Sequence, residues 1–259
     1  MPKPISIKLI FISLLIGFFF YSCAPNQIIS KPYQPGVVIT FDDYYINEWC
    51  NADTQLATYK WKATFFVSNL PLLKKVDYDN LRKLKKNGHE IAGHGYNHLN
   101  AKEFTKTNEI SKYIALEITP LLSTLKNEGL PITSFAYPFG ANNQSLDFEL
   151  KKHFKIIRST SVGKPNIEEN SNFYNGTFHQ KGIGIDGNYK HFTLDYLKEV
   201  LAYARKNNKI VIFYAHKPVQ KSTGTYEVEM KTLETICQYV TTNHMKFYTF
   251  QELTTLKKQ

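Results

Sequence analysis

The chain has little cysteine and no apolar run long enough to cross a bilayer. Three cysteines occur, Cys23, Cys50 and Cys237. Cys23 belongs to the leader discussed below; the other two permit one disulfide or remain as two free thiols, so no disulfide framework dictates the fold. The longest uncharged apolar stretch, LIFISLLIGFFFY, runs about 13 residues, short of the roughly 20 that a spanning helix needs. Internal repeats and low-complexity segments are also missing, which excludes repeat architectures. Charge is plentiful but not concentrated. The formal +10 falls to about +8 without Lys3 and Lys8. The lysines are spread along exposed-looking helical segments, which reads as solvation; no nucleic-acid partner is expected. What is abundant is core material: 42% apolar and 14% aromatic residues, too much for a disordered chain.

The N-terminus stands apart from that core. MPKPISIK supplies two lysines, the apolar stretch follows, and Ser22-Cys23 ends it. Basic, apolar and small segments in that order make a secretory signal peptide. Its end resembles a bacterial lipobox, in which Cys23 becomes the lipidated N-terminus, although Phe20 and Tyr21 replace the usual Leu and small residue. An uncleaved anchor or an ordinary signal peptide are the alternatives. The expected division is a lipoprotein signal peptide at 1–22, a Pro-punctuated tether at 23–35 and one catalytic domain at 36–259. The protein is expected in the cell envelope, held to a membrane through its lipid.

From residue 36 onward, strand and helix signals alternate. GVVITF and KATFFVSN read as buried strands. Tyr78 to Asn87 reads as a helix stopped by Gly88. HEIAGH is a short strand, and 107–128 a longer helix that Pro120 should kink or split. ITSFAYPFG is a strand and turn, SLDFELKKHF a helix, and KIIRSTS a strand. DYLKEVLAYARKNN is an amphipathic helix, IVIFYAH an apolar strand, EVEMKTLETICQYVTTNHM the last helix, and KFYTF closes the series. Residues 163–189 break the rhythm; long loops and a short hairpin are expected there. Repeated βα units predict an α/β fold with a mainly parallel sheet, open or closed into a barrel. Chemistry in such folds sits at the C-terminal strand ends.

Three strand ends carry ionisable groups: Asp42-Asp43, then His94 and His98 in HGYNH, then His216. Two histidines four apart lie on one face of a helical turn, within reach of one ion, and Gly95 allows a tight turn off the strand. Alone, such a pair is more often structural. With a carboxylate from a second strand end it becomes a three-ligand set for a catalytic divalent ion. Consecutive strand residues face opposite ways. Both aspartates serve one site only if the strand ends there and the chain turns; one then binds the ion and the other sits beside it. The competing reading, a cap for the next helix, accounts for one aspartate and not for two.

TFDD, HGYNH, FAYPFG and FYAH together resemble the motif set of the polysaccharide deacetylases, the NodB-homology family of carbohydrate esterases, over about residues 36–252. The resemblance implies a distorted (β/α) barrel of about seven parallel strands with outer helices. It also implies a divalent ion, most often zinc, with cobalt, nickel or manganese as alternatives, and removal of acetyl groups from sugars. By that resemblance Asp42 is the general base, Asp43, His94 and His98 bind the metal, and His216 is the general acid. The backbone N–H of Phe139 would serve the oxyanion, with Tyr137 beside it on the substrate side. The FAYPFG form is nearest in style to the branch acting on poly-N-acetylglucosamine.

Departures from the family pattern are specific. Ala136 stands where many relatives carry an arginine that orients the base. Arg158 is a candidate replacement, against the commoner reading of an exposed structural arginine. In the fourth motif Asp186 is the nearest match, able to pair with His216 or to serve as a turn residue. His89, His153, His191 and His244 read as surface or capping residues, and His179 has no assigned role. Tyr44, Tyr45, Tyr137, Tyr189 and Tyr214 flank the expected site as sugar-stacking or rim residues. The expected substrate is an N-acetylated polysaccharide or oligosaccharide. Alternatives are an O-acetyl esterase on acetylated hemicellulose, or a barrel that binds glycan with little turnover.

Overall fold

The computed structural model describes residues 1–2 and 33–256. The leader after its first two residues, Cys23 and the tether up to residue 32 lie outside the described residues. No described helix is long and apolar enough to cross a membrane.

Eight parallel strands form the main sheet: β1 (Gly36–Asp43), β2 (Ala63–Val67), β3 (Glu90–Gly93), β4 (Ser134–Ala136), β5 (Ile156–Ser161), β6 (His179–Gly184), β7 (Ile210–Ala215) and, last in the chain, β10 (Lys246–Tyr248). A small ribbon, β8 (Lys217–Val219) with β9 (Glu227–Glu229), lies apart. β1 to β7 pair in sequence order, and β7 returns to β1 along Gly36–Phe41, which closes a seven-stranded barrel. β10 pairs only with the start of β1, Gly36–Val38, on the edge that β2 occupies further along. It fills the N-terminal end of the barrel instead of adding a full stave. The helices α1 (Ile46–Leu56), α2 (Lys75–Lys86), α3 (Ala101–Phe104), α4 (Ile110–Tyr113), α5 (Thr119–Asn127), α6 (Gln144–Leu150), α7 (Leu194–Lys206) and α8 (Met230–Thr242) follow the strands in turn.

The strands read as unbroken apolar runs because both faces are covered, as parallel sheets require. Val38, Phe66, Ala92, Ala136, Ile156, Ile210 and Ile212 form the cluster inside the barrel, with Tyr248, Phe250 and Leu253 closing one end. Val37, Ile39, Phe41, Phe65 and Val67 pack outward with helix residues such as Trp49, Leu81 and Leu201. Burying a Phe or Leu is worth roughly 1.5–3 kcal/mol each. This double core therefore holds the strand ends in fixed register, which a catalytic site needs.

Two local expectations change and one holds. The region 163–189 contains no hairpin; it delivers the sixth barrel strand, HQKGIG, parallel to both neighbours. That strand is hard to read because inward bulk is excluded. A Cβ at Gly182 would stand 3.2 Å from Arg158 Cδ, and one at Gly184 would stand 2.3 Å from the Tyr189 ring. The helix expected at 107–128 is split, as Pro120 led one to expect: α4 runs into a π-helical turn, Ile114–Ile118, and α5 follows with Pro120 in its first turn. Helix α1, unanticipated, starts without a side-chain cap and is rich in Asn, Asp and Thr. Its buried stripe of Ile46, Trp49, Ala52, Asp53 and Leu56 holds it in place, and the Trp49 indole N–H donates to the His216 carbonyl at 2.9 Å. Cys50 and Cys237 are both free.

Candidate metal and active site

Alternation along β1 sends Val38, Thr40 and Asp42 inward. Asp43 should then point away, but its φ is +81°. The strand ends in a left-handed turn there, which costs an L-residue about 1–2 kcal/mol and returns the second carboxylate to the same cavity. Asp43 Oδ1 lies 3.2 Å from His98 Nε2 and 3.8 Å from His94 Nε2. The two Nε2 atoms are 3.3 Å apart. Two ligands on bonds of about 2.0–2.1 Å in a tetrahedral site are separated by roughly 3.3 Å, so the residues present fit a divalent ion. The histidines do not occupy a helical turn. His94 leaves β3 and His98 follows in a loop with left-handed Gly95 (φ +86°) and His98 (φ +63°).

The protonation states agree with ligation. His94 Nδ1–H donates to the Ala136 carbonyl at 2.8 Å, which turns the Nε2 lone pair towards Asp43. Burial drives its pKa down to about 4, so the ring is neutral. Burial works to raise the Asp43 pKa, but the bond from His98 and the nearby charges of His94, His216 and His98 leave it below the ordinary value.

The missing third-motif arginine is replaced from the next strand. Arg158 on β5 is the direct register partner of Ala136 on β4. It is fully buried, not an exposed structural residue. One Nη donates to both Asp42 oxygens at 2.5 Å, and the guanidinium lies between the Phe66 and Tyr214 rings, 5.2 and 5.1 Å from their centroids. Asp186 is likewise no turn residue. It is fully buried, accepts from His216 Nδ1 at 2.6 Å, and accepts the His216 backbone N–H at 3.1 Å. Burial alone would lower the His216 pKa; the bond and charge of Asp186, with the charges of Asp42 and Asp43, hold it above the ordinary value.

Asp42, Asp43, His94, His98 and His216 line one cavity of about 300 Å³ together with Phe139, Gly140, Thr160, Tyr189, Tyr214 and Tyr226, while Arg158 and Asp186 stand behind it. Phe139 sits at φ +61° in the turn Pro138–Gly140. Its side chain is exposed and packs over the His98 ring at 4.7 Å. Tyr226, which no motif marks, packs over His216 at 4.9 Å; it stands in a polar, aperiodic segment, KSTGTYE.

Several expected residues fall elsewhere. Tyr137 is fully buried and donates its hydroxyl to Asp147 at 2.8 Å, so it lies behind the site and not on the substrate side. Tyr44 and Tyr45 stack on each other outside the cavity lining. His89 is buried, not on the surface; it accepts the Ala63 N–H and bonds Asp53 at 2.8 Å. His179 bonds Asp147 at 2.6 Å and Ser159 at 2.7 Å and does not line the cavity.

The strand ends of this parallel barrel thus carry an Asp-His-His cluster that could hold a metal ion, with two further charge pairs beside it. Residues 30–154 match the family model described as polysaccharide deacetylase. That match covers TFDD, HGYNH and FAYPFG and stops short of Arg158, Asp186 and His216. A gellan lyase from a Bacillus species is 29% identical over 137 residues, 53% of this chain; the chain spans only 5% of that protein's length. Among solved structures, the chitin deacetylase of Colletotrichum lindemuthianum is similar with a TM-score of 0.59 at 18% identity, over 89% of this chain and 92% of that one. The catalytic domain of peptidoglycan N-acetylglucosamine deacetylase from Eubacterium rectale gives 0.55 at 18%, over 85% and 90%. The CE4 domain of a multidomain xylanase from the hindgut metagenome of Trinervitermes trinervoides gives 0.54 at 18%, over 85% and 89%. At these identities the structures share the fold.

Proposed function

We propose that this chain is a metal-dependent carbohydrate deacetylase that removes N-acetyl groups from an N-acetylglucosamine-containing polysaccharide outside the cytoplasm. One observation carries the reading. Asp42, Asp43, His94, His98 and His216, spread over most of the sequence, meet in one cavity, with the Asp43, His94 and His98 ligand atoms within 4.8 Å of one another. The family-model match supports it.

Asp43, His94 and His98 would hold a divalent ion, which when bound would supply Lewis acidity to the acetyl carbonyl and the attacking water. Asp42, held by Arg158, takes the proton from that water as it attacks. The Phe139 N–H meets no protein acceptor among the described residues; it is the donor for the oxyanion. His216, kept protonated by Asp186, gives its proton to the departing amine nitrogen. An amine leaves poorly without that proton, whereas an alkoxide needs it less, so the Asp186–His216 pair favours amide over ester hydrolysis. The finer assignments to poly-N-acetylglucosamine and to a lipid-anchored envelope location rest on the FAYPFG form and the N-terminal pattern alone. Cell fractionation with a Cys23→Ser variant tests the location.

Asp42→Asn decides the roles of the aspartates. It should bind one equivalent of metal as the unaltered chain does while deacetylation of chito-oligosaccharides falls by at least about 100-fold. Loss of metal as well as turnover would exchange the two aspartates. A chain that binds no divalent ion at neutral pH refutes the enzyme reading.

A further inference from the structure

We propose that Glu117 is a positioning residue that presets the His98 loop for metal binding, an inference that rests on the reading of Asp43, His94 and His98 as ligands. The two histidines are held differently. His94 is fixed through its own ring, Nδ1 to the Ala136 carbonyl. For His98, no acceptor meets Nδ1 among the described residues; the ring's polar and aromatic partners there are Asp43, His94 and Phe139. Its orientation therefore depends on the backbone that carries it, and that backbone is left-handed at His98, a conformation that residues other than glycine hold only when their surroundings enforce it.

Glu117 supplies the enforcement. It is fully buried and forms no ion pair among the described residues, an expensive state for a carboxylate unless N–H donors satisfy it. The donors come from this loop. Asn97 N–H meets Oε1 at 3.0 Å and Oε2 at 3.1 Å, and Leu99 N–H meets Oε2 at 3.3 Å. These donors flank His98 on both sides. The Glu117 carbonyl accepts the Tyr96 N–H at 3.2 Å. Gly95 completes the fit, since a Cβ there would stand 2.6 Å from Glu117 Oε2.

The broken helix is what makes these contacts available. Proline at 120 has no N–H to offer the carbonyl four residues back. That carbonyl, Leu116 O, instead accepts Asn97 Nδ2 at 3.1 Å. The π-helical turn Ile114–Ile118 thus presents one carboxylate and two carbonyls to the His98 loop. A regular helix would have used both carbonyls internally.

The test is metal affinity in the full chain, read by Zn2+ competition against a chromophoric chelator and by the visible absorption of the Co2+-loaded protein. Glu117→Gln keeps the shape but removes the charge and turns an amide N–H towards backbone donors. It should weaken Zn2+ binding about 10–100-fold, the usual range for groups that orient a ligand, and alter the Co2+ band. Glu117→Asp, which keeps the charge but shortens the reach, should lie in between. Melting of the metal-free protein is the control. A lower Tm with unchanged Zn2+ affinity and Co2+ spectrum would make Glu117 merely structural and overturn the proposal. Failure of both variants to fold would overturn it too, assigning the residue to folding. If the unaltered chain binds neither Zn2+ nor Co2+, the metal reading itself fails; if it binds and Glu117→Gln binds equally, only the positioning role fails.

Discussion

Asp186→Asn isolates the acid half of the proposed mechanism. Asp186 holds His216 by a 2.6 Å bond to Nδ1 and a 3.1 Å bond from its backbone N–H. Asparagine preserves the shape and can accept the Nδ1–H, but the bond is no longer charge-assisted, which about halves its strength. The buried ring then loses the interaction that offsets its burial. An ion on Asp43 would also cancel that aspartate's help, so in the loaded enzyme Asp186 would be the main group raising the His216 pKa. The pKa should therefore fall in the variant, and each unit of such a fall is about 1.4 kcal/mol, or tenfold in the protonated fraction above the pKa. The assay is kcat/KM against pH on an N-acetylated oligosaccharide. The basic limb should move to lower pH, with a smaller effect on an activated acetate ester, whose leaving group needs no proton. Stability should follow the same sign. A His whose folded pKa is raised contributes fully below its unfolded value, about 6.5, and loses that contribution as pH rises through the folded value. Asp186→Asn should flatten this slope. A basic limb that stays in place while the rate falls would refute His216 as the acid.

Arg158→Met should be the more damaging change to the fold, because it leaves Asp42 charged, buried and unpaired. A loss of about 3–5 kcal/mol by urea denaturation is expected, and adding Asp42→Asn should recover much of that stability without recovering activity; equal instability of the double variant would deny the pairing. At the opposite end of the barrel, burial pushes the Glu90 carboxyl up to about 7. Its Oε2 accepts Thr64 Oγ–H and Gln251 N–H, while Oε1 has no partner among the described residues. A raised folded pKa means the unaltered chain loses stability as pH climbs from about 4.5 through 7, by up to about 3 kcal/mol. Glu90→Gln should remove that slope and be the more stable of the two at pH 8, as denaturation midpoints across pH would report. A slope identical in both would place the titration elsewhere.

The legible parts of this molecule are those where burial on both faces leaves continuous apolar runs. GVVITF, ATFFV and IVIFYA could be read as strands because each feeds the inner and the outer core. Four of the five ionisable residues that share the cavity stand out for a related reason: Asp42, Asp43, His94 and His216 end such runs where apolar residues would be expected. The unreadable parts share one cause, in that a neighbour decides them. Strand β6 carries glycines at Gly182 and Gly184 because Arg158 and Tyr189 need the space. Tyr137 in FAYPFG was placed on the substrate side, but the polar partner that draws its hydroxyl behind the site, Asp147, lies on α6. Arg158 looked ordinary in KIIRST because its partner, Asp42, lies 116 residues away. Register against Ala136 is a property of the sheet and not of either segment.

The pairing of charges explains how one cavity tolerates three aspartates. Asp42 is answered by Arg158, and Asp186 by His216, whose pKa it raises. His94 is neutral. If Asp43, His94 and His98 hold the proposed ion, Asp43 is the single carboxylate left to face it, and a dication there would leave net positive charge in the cavity. That remainder favours a water giving up its proton and an acetyl oxygen gaining negative charge, the two changes that amide hydrolysis requires. Had the arginine been lost without replacement, Asp42 would have competed with Asp43 for the ion, and base and ligand would no longer be separate. Arg158 therefore does more than fill the space beside Ala136. By engaging both oxygens of Asp42 it divides the labour between two adjacent carboxylates that the strand alone cannot tell apart.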